Sequence, residues 1–562
     1  MGKKCYCLET RKPKHQGVND EGEFPDKSSF FPSPKTMQGV EKKWNTKTVP
    51  FTFSSQLLIF QVSVSISKPR AKEGWGLKKR SSDLAKIPLK KVLLQLDCHF
   101  TWVLLKEDID PDELEERILE QIEFLHSKSK AQNYHLLAYV KYLNGKKEEA
   151  LENLQKAEEA VKIEYPGDTE KQSLVTWGNY AWLYYHMDKQ TEAQAYIDKI
   201  KKICKQHGSA LPYKMKLPQI FCEKGWALLK FGGKYHEKAK ESFAKALEEE
   251  PDNPEFNAGY AITVYRLEDY YGRKSAAEGS SLEPLRRAVQ LNPEDPFVVS
   301  LLAIKLQETN KIHEGEKYIE MALAKYPGIP YVLRYAAKFY RKKGDVQIAL
   351  KYLTEALRLT PNSSFLHHQI GICYRTQLYA LKKANGRCQP TDKMEELMSL
   401  CIFHFKTVVE RKTKYVHAHL DLAKMYAERQ QLQEAEEMFQ SVFAMSKLTC
   451  DEKQQLHVCY GIFLEFQRKS ESEALRHYLE GVKIDHESFD RNKCKFNLKR
   501  LIEKRIKKGL ADAKSFAILG FVHQLNGEKK QAIECYEEAL KLDPRNEEYL
   551  SALLDLRLSL QS

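Results

Sequence analysis

The sequence predicts an all-α fold: a superhelical solenoid of tetratricopeptide-like helical hairpins around a central basic groove or tunnel. Three observations carry this expectation. Prolines recur at Pro251, Pro293, Pro327, Pro361 and Pro544, each after a helical segment such as "FAKALEEEP", "LRRAVQLNP", "IEMALAKYP", "LTEALRLTP" or "YEEALKLDP". Pro293, Pro327 and Pro361 are one 34-residue period apart, the length of a tetratricopeptide repeat. Small residues recur with them, at Ala246, Ala288, Ala322, Ala356 and Ala539.

Each element follows in order. Residues 1–90 are rich in Pro, Ser and Lys and lack a helical period, so they read as a disordered basic extension, or as a segment foreign to the natural mature protein. Residues 91–562 are expected to be the solenoid, with about nine or ten helical pairs. Ala150, Ala193, Ala239, Gly315, Ala349, Ala435, Ala474 and Ala532 fit the small position of the second helix, where two backbones must approach. The polar stretch 382–393, "KKANGRCQPTDK", reads as an insert.

Composition limits the function classes. With 42% hydrophobic and 30% charged residues the chain fits a soluble, helix-rich protein. The formal charge is +13, but most of that excess lies in residues 1–90. An anion site in the body must therefore focus charge locally. The twelve cysteines contain no CxxC, which argues against a zinc cage or redox dithiol and for reduced thiols in the cytosol. "LLIFQVSVSI" (57–66) is too short to span a bilayer, and "MGKKCY" has Tyr6 where a myristoylation signal wants Ser or Thr. No P-loop, GxSxG or HExxH is present, so a catalyst is not expected, and neither is a cofactor or a metal.

The groove's contents follow from the register. Phe297, Tyr331 and Phe365 are spaced one repeat apart, as are Arg334 and His368, and Arg341 and Arg375. Arg334, Lys338 and Arg341 share one helical face. Aromatics beside cations suit single-stranded nucleic acid, by stacking on bases and neutralising phosphates. The same residues also fit a packed core with a solvated cationic face, or a peptide-binding groove. Upstream, Trp226 lies one turn from Lys230, while Glu255, Ile262 and Arg266 share a face. A stacking ring, a carboxylate for base N–H groups and a cation for phosphate could hold a guanine, and a cationic methylguanine better still. From spacing alone, Trp226 is equally a core residue.

Long strings then carry a resemblance: "CHFTWVLLKEDID" (98–110), "SLVTWGNYAWLYYHM" (173–187), "GWALLKFGGKY" (225–235), "EPDNPEFNAGYAITVYRL" (250–267), "PYVLRYAAKFYRKK" (330–343) and "SSFLHHQIGICYR" (363–375). From about residue 91 onward the chain resembles the interferon-induced proteins with tetratricopeptide repeats. The resemblance implies a cytosolic antiviral effector that takes the 5′ end of foreign single-stranded RNA into its tunnel and blocks translation by occlusion. It implies cap stacking by Trp226, a base-edge contact from Glu255, and a pocket lined by Leu125 and Ile262. Lys230, Arg266, Arg334, Lys338, Arg341 and Lys412 would meet phosphates or backbone. Tyr335, His368 and Gln369 would lie near the first nucleotides, and Arg117 and Gln121 near the triphosphate bridge. Arg117 matches the cap-binding members, which favours cap-0 over 5′-triphosphate. His236 and Phe297 stand where relatives carry Tyr.

The pattern Tyr536-x-x-x-Leu540 reads from spacing as an ordinary repeat face. The resemblance implies instead a C-terminal contact with sister members of the family. Some members act mainly as scaffolds for partner proteins, which is the alternative function.

Overall fold

The computed structural model describes residues 88–561, apart from 125–129, 272–279 and 386–390. The expected extension, with its strand-like patch and N-terminal "MGKKCY", falls almost wholly outside the described residues. So does the predicted pocket residue Leu125.

Among the described residues the chain is helical, with a single isolated β-bridge between Leu211 and Lys214. After a short helix over residues 88–93, helix α1 (Pro111–Phe124) precedes ten antiparallel hairpins. These are α2 (Lys130–Leu143) with α3 (Lys147–Glu164), α4 (Leu174–His186) with α5 (Gln190–Gln206), and α6 (Pro218–Lys230) with α7 (His236–Glu249). Next come α8 (Pro254–Tyr271) with α9 (Leu282–Leu291), α10 (Pro296–Glu308) with α11 (Ile312–Lys325), and α12 (Pro330–Lys343) with α13 (Val346–Leu359). Then follow α14 (Ser364–Asn385) with α15 (Asp392–Arg411), α16 (Val416–Glu428) with α17 (Leu432–Phe443), and α18 (Cys450–Phe466) with α19 (Glu471–Lys483). A single helix α20 (Phe489–Lys507) leads to the last hairpin, α21 (Ala513–Leu525) with α22 (Lys529–Leu542), and to a terminal helix α23 (Glu547–Gln561).

The punctuation explains the regularity. Pro251, Pro293, Pro327, Pro361 and Pro544 all fall in the turn after a second helix, where no intrahelical N–H is needed. Pro218, Pro296 and Pro330 open first helices at N1, a position preorganised for proline. The small positions are where the helices of a hairpin touch: Ala150, Ala193, Ala239, Ala349, Ala435, Ala474 and Ala532 are all 0% exposed. At Gly315 a Cβ would come within 2.6 Å of the Ala303 carbonyl, so even alanine is too large there.

Within the stretch 382–393 expected to be an insert, α14 runs on through Asn385 and α15 begins at Asp392, and residues 386–390 lie outside the described residues. The long first helix uses its Lys and Ala residues to extend past the usual repeat boundary. Thr391 caps the next helix by accepting from the Met394 N–H.

The solenoid curls back on itself at α1. Glu120 pairs with Arg334 of α12 at 2.5 Å, and Glu113 pairs with Lys412, just past α15, at 2.9 Å. Arg117 donates to the Lys230 carbonyl at the end of α6 at 3.4 Å. Glu113, Arg117 and Glu120 share one face of α1. One helix therefore bridges three hairpins that are far apart in sequence.

Candidate nucleic-acid interface

Trp226 lies in α6, and its position depends on a neighbouring ring. The Phe243 side chain fills the space between α6 and α8. A Cβ at Gly225 would come within 2.8 Å of that ring, and one at Gly259 within 2.2 Å. Only glycines on both sides let Phe243 fit. Trp226 meets it edge-on, with centroids 5.2 Å apart and planes at 80°. The indole is half-buried, so it is core on one side and open on the other. Glu255, in the first turn of α8, accepts from the Gln132 amide at 3.3 Å and lies 3.7 Å from the Cys222 thiol. Ile262 is 3% exposed, so it backs the groove wall as a core residue. Arg266 donates to the Tyr335 hydroxyl at 3.2 Å, linking α8 to α12.

Lys230 ends α6 and donates to the Asn133 side-chain oxygen at 2.6 Å. The residue as a whole is half-buried. Burial is the main cause that pushes its pKa down to about 7, and repulsion from Arg117 adds to it. Arg117 is likewise lowered, first by burial. Gln121, one turn further along α1, is half-buried. Two cations crowded this way gain when an anion arrives.

Further along, Phe297 and Tyr331 stack at 3.9 Å, and Tyr331 meets Tyr335 at 4.5 Å. The Arg334 guanidinium lies 5.8 Å above the half-exposed Phe365 ring. Burial would raise the Tyr335 hydroxyl, but Arg266 and Lys338 outweigh it and lower its pKa. Lys338, Arg341 and Gln369 are half-buried on the same wall, and His368 is buried, 3.2 Å from Asp421. Asp421 also pairs with Arg375 at 2.7 Å and with Lys424 at 3.1 Å. Its burial is overcome by these cations, which hold its carboxyl well below the usual range. Of the pairs expected from the 34-residue spacing, Phe297 and Tyr331 are thus direct neighbours.

The C-terminal motif is differently placed. Tyr536 on α22 is buried beside Leu553 and Leu556 of α23, and Leu540 packs against the same cluster. The terminal helix covers this face within the chain.

Sequence reasoning missed the acids. Glu113 and Glu120 were not singled out, because partners as distant as Lys412 and Arg334, the latter 214 residues from Glu120, leave no local signal. Asp295 was also passed over. It caps α10 by accepting from the Phe297 and Val298 N–H groups at 2.8 and 3.1 Å. Its pKa is raised by burial, with Glu255 adding to the effect. Its position before Pro296 was the available clue. Glu164 is a further carboxylate near Glu255, pushed up to about 7 chiefly by burial.

Fold and site together define a tetratricopeptide-repeat superhelix with an aromatic and cationic groove bridged by α1. Models of the tetratricopeptide repeat match residues 420–453 and 513–546. The chain is 47% identical over 457 residues to "Antiviral innate immune response effector IFIT1" of Macaca fascicularis and of Homo sapiens, covering 81% of this chain and 96% of each relative. It is 40% identical to human "Interferon-induced protein with tetratricopeptide repeats 2", over 82% of this chain and 97% of that protein. The chain belongs to the interferon-induced proteins with tetratricopeptide repeats. Among solved structures it is similar to the human IFIT1 dimer with m7Gppp-AAAA, at TM-score 0.72 and 46% identity, covering 81% of this chain and 99% of that one. The human IFIT1 dimer with PPP-AAAA matches at TM-score 0.69 and 46% identity over the same shares.

Proposed function

We propose that this protein is a cytosolic, interferon-induced antiviral effector that binds the 5′ ends of foreign single-stranded RNA in its groove. Cap-0 ends are the preferred ligand and 5′-triphosphate ends the second. Binding blocks translation by occlusion, and no bond is made or broken. The observation that carries this reading is the half-open Trp226 ring, braced on Phe243, on a helix whose Cys222 thiol lies 3.7 Å from Glu255. Such a ring stacks on a base, and on a cationic methylguanine with added cation–π attraction. Glu255 accepts the base-edge N–H groups, with Ile262 lining the pocket. Arg117, Gln121 and Lys230 serve the phosphate bridge. Arg266, Arg334, Lys338, Arg341 and Lys412 serve the backbone, while Tyr335, His368 and Gln369 meet the first nucleotides. Relatives solved with m7Gppp-AAAA and PPP-AAAA support this ligand class.

The deciding experiment compares one RNA sequence with 5′-hydroxyl, triphosphate, cap-0 and cap-1 ends. Tight binding of cap-0, weaker binding of triphosphate and loss with cap-1 or hydroxyl is the expected order. Equal affinity for all four, with no salt dependence, would favour an adaptor role. In that role the chain meets sister family members through Tyr536 and Leu540, which requires α23 to lift from α22.

A further inference from the structure

Helix α6 carries a buried acid on the same face as Trp226 and Lys230. Glu223, Trp226 and Lys230 fall at i, i+3 and i+7, so the carboxylate lies two turns before the ammonium. Glu223 is 8% exposed. A carboxylate that deep needs hydrogen bonds and a counter-charge. Its Oε1 lies 2.8 Å from His135 Nδ1 on α2, and Nε2 of that ring lies 2.7 Å from the Thr176 hydroxyl on α4. A neutral His135 satisfies both contacts: Nδ1–H donates to the carboxylate, and Nε2 accepts from the hydroxyl.

The second imidazole nearby does not supply the charge. His99 Nδ1 is 4.0 Å from Glu223 Oε1. The Asn179 Oδ1 accepts from the His99 backbone N–H at 3.1 Å, which turns the amide nitrogen toward His99 Nδ1 at 3.2 Å. Nδ1 is therefore an acceptor and carries no proton. Burial first, then His135 and Lys230, hold His99 well below the usual histidine pKa. The Tyr165 hydroxyl and the Cys222 thiol, which also feel Glu223, bring no positive charge, and neither does Glu164, which feels His135. Around Lys230, burial disfavours the ammonium most, Arg117 of α1 adds to that, and Glu223 opposes both. Asn133 of α2 accepts from the ammonium at 2.6 Å.

We propose that Glu223 is a positioning residue for the groove: its buried carboxylate, oriented by His135, is the counter-charge that keeps Lys230 an ammonium ion and ready for phosphate. The proposal rests on the reading of Lys230 as a phosphate contact. The sign follows from the charges. A carboxylate raises the pKa of a nearby ammonium, so removing it lowers that of Lys230. More of the lysine is then neutral at pH 8, and an arriving phosphate must restore a proton before it finds a cation. Glu223 thus acts on RNA through Lys230 and without touching it.

The test uses the full chain. Competitive acetylation with acetic anhydride, read by mass spectrometry on the peptide that carries Lys230, follows its titration without RNA. The expected midpoint is about 7 in the wild type, lower in Glu223→Gln and close to the wild type in Glu223→Asp. Glutamine keeps the shape and an acceptor for His135 but loses the charge. Aspartate keeps the charge and loses the shape. Affinity for one cap-0 RNA is then expected to be about three- to tenfold weaker in Glu223→Gln at pH 8 and equal to the wild type at pH 5.5. A carboxylate that served packing alone would give equal losses at both pH values, larger for aspartate. That pattern, an unchanged labelling midpoint in Glu223→Gln, or a Glu223→Gln chain without helical circular dichroism would overturn the proposal. A lowered midpoint with RNA affinity untouched at every pH would uphold the coupling and overturn Lys230 as a phosphate contact.

Discussion

Glu120 and Arg334 lie 214 residues apart in sequence and form an ion pair at 2.5 Å. With Glu113 and Lys412 they fasten α1 across the groove. Under the proposed function both cations meet the RNA backbone, and the acids of α1 would then compete with phosphate for them. Replacing Glu113 and Glu120 together by glutamine removes the competitor. RNA binding is expected to tighten by about fivefold, near 1 kcal/mol, a reasonable scale for partly exposed pairs. Its salt dependence should also steepen. Fluorescence anisotropy across a salt series measures both, and weaker binding by the double variant would refute the competition.

Trp226→Ala is expected to cost about 1–3 kcal/mol for cap-0 RNA, the usual range for base stacking. The loss for triphosphate RNA should be smaller, because that end leaves the ring without a base. Equal losses for both ligands would remove Trp226 from the cap pocket.

Affinity should depend on pH through Lys230. Its pKa is pushed down to about 7 in the empty groove, chiefly by burial. A bound phosphate favours the ammonium and raises that pKa, so binding above pH 7 takes up a proton. Affinity is therefore expected to be flat below pH 6 and to fall as pH rises from 7 toward 9. In Lys230→Met the same series should be weak and level over this range. A wild-type profile that is flat from 6 to 9 would contradict the assignment.

Gly259→Ala tests the packing beneath the tryptophan. Its added methyl would meet the Phe243 ring at 2.2 Å. The ring must move, and the cost of overpacking is about 1–3 kcal/mol of stability. Since Trp226 rests on Phe243, cap-0 affinity should fall more than triphosphate affinity at a temperature where the variant remains folded. Thermal melts and binding together separate the two effects.

What the sequence made legible was whatever repeats or lies close along the chain. The prolines and alanines located the hairpins because each hairpin solves the same packing problem. Phe297 and Tyr331 could be paired because one period separates equivalent positions. Glu113 and Glu120 could not, since an acid on a helix looks the same whether it faces water or Arg334. Tyr536 is the converse case. Its motif was visible, but its burial under Leu553 and Leu556 depends on a terminal helix that reads as one more repeat element.

The clasp between α1 and α12 also sets an order in time. A ribosome adding about 5–20 residues per second needs roughly 10–40 s to travel from Glu120 to Arg334. Through that interval the early hairpins, with Trp226 already among them, exist as an open trough with no far wall. The nascent chain therefore holds a stacking ring before it holds an enclosure, and a protein cut short before Lys412 would keep the first and lack the second.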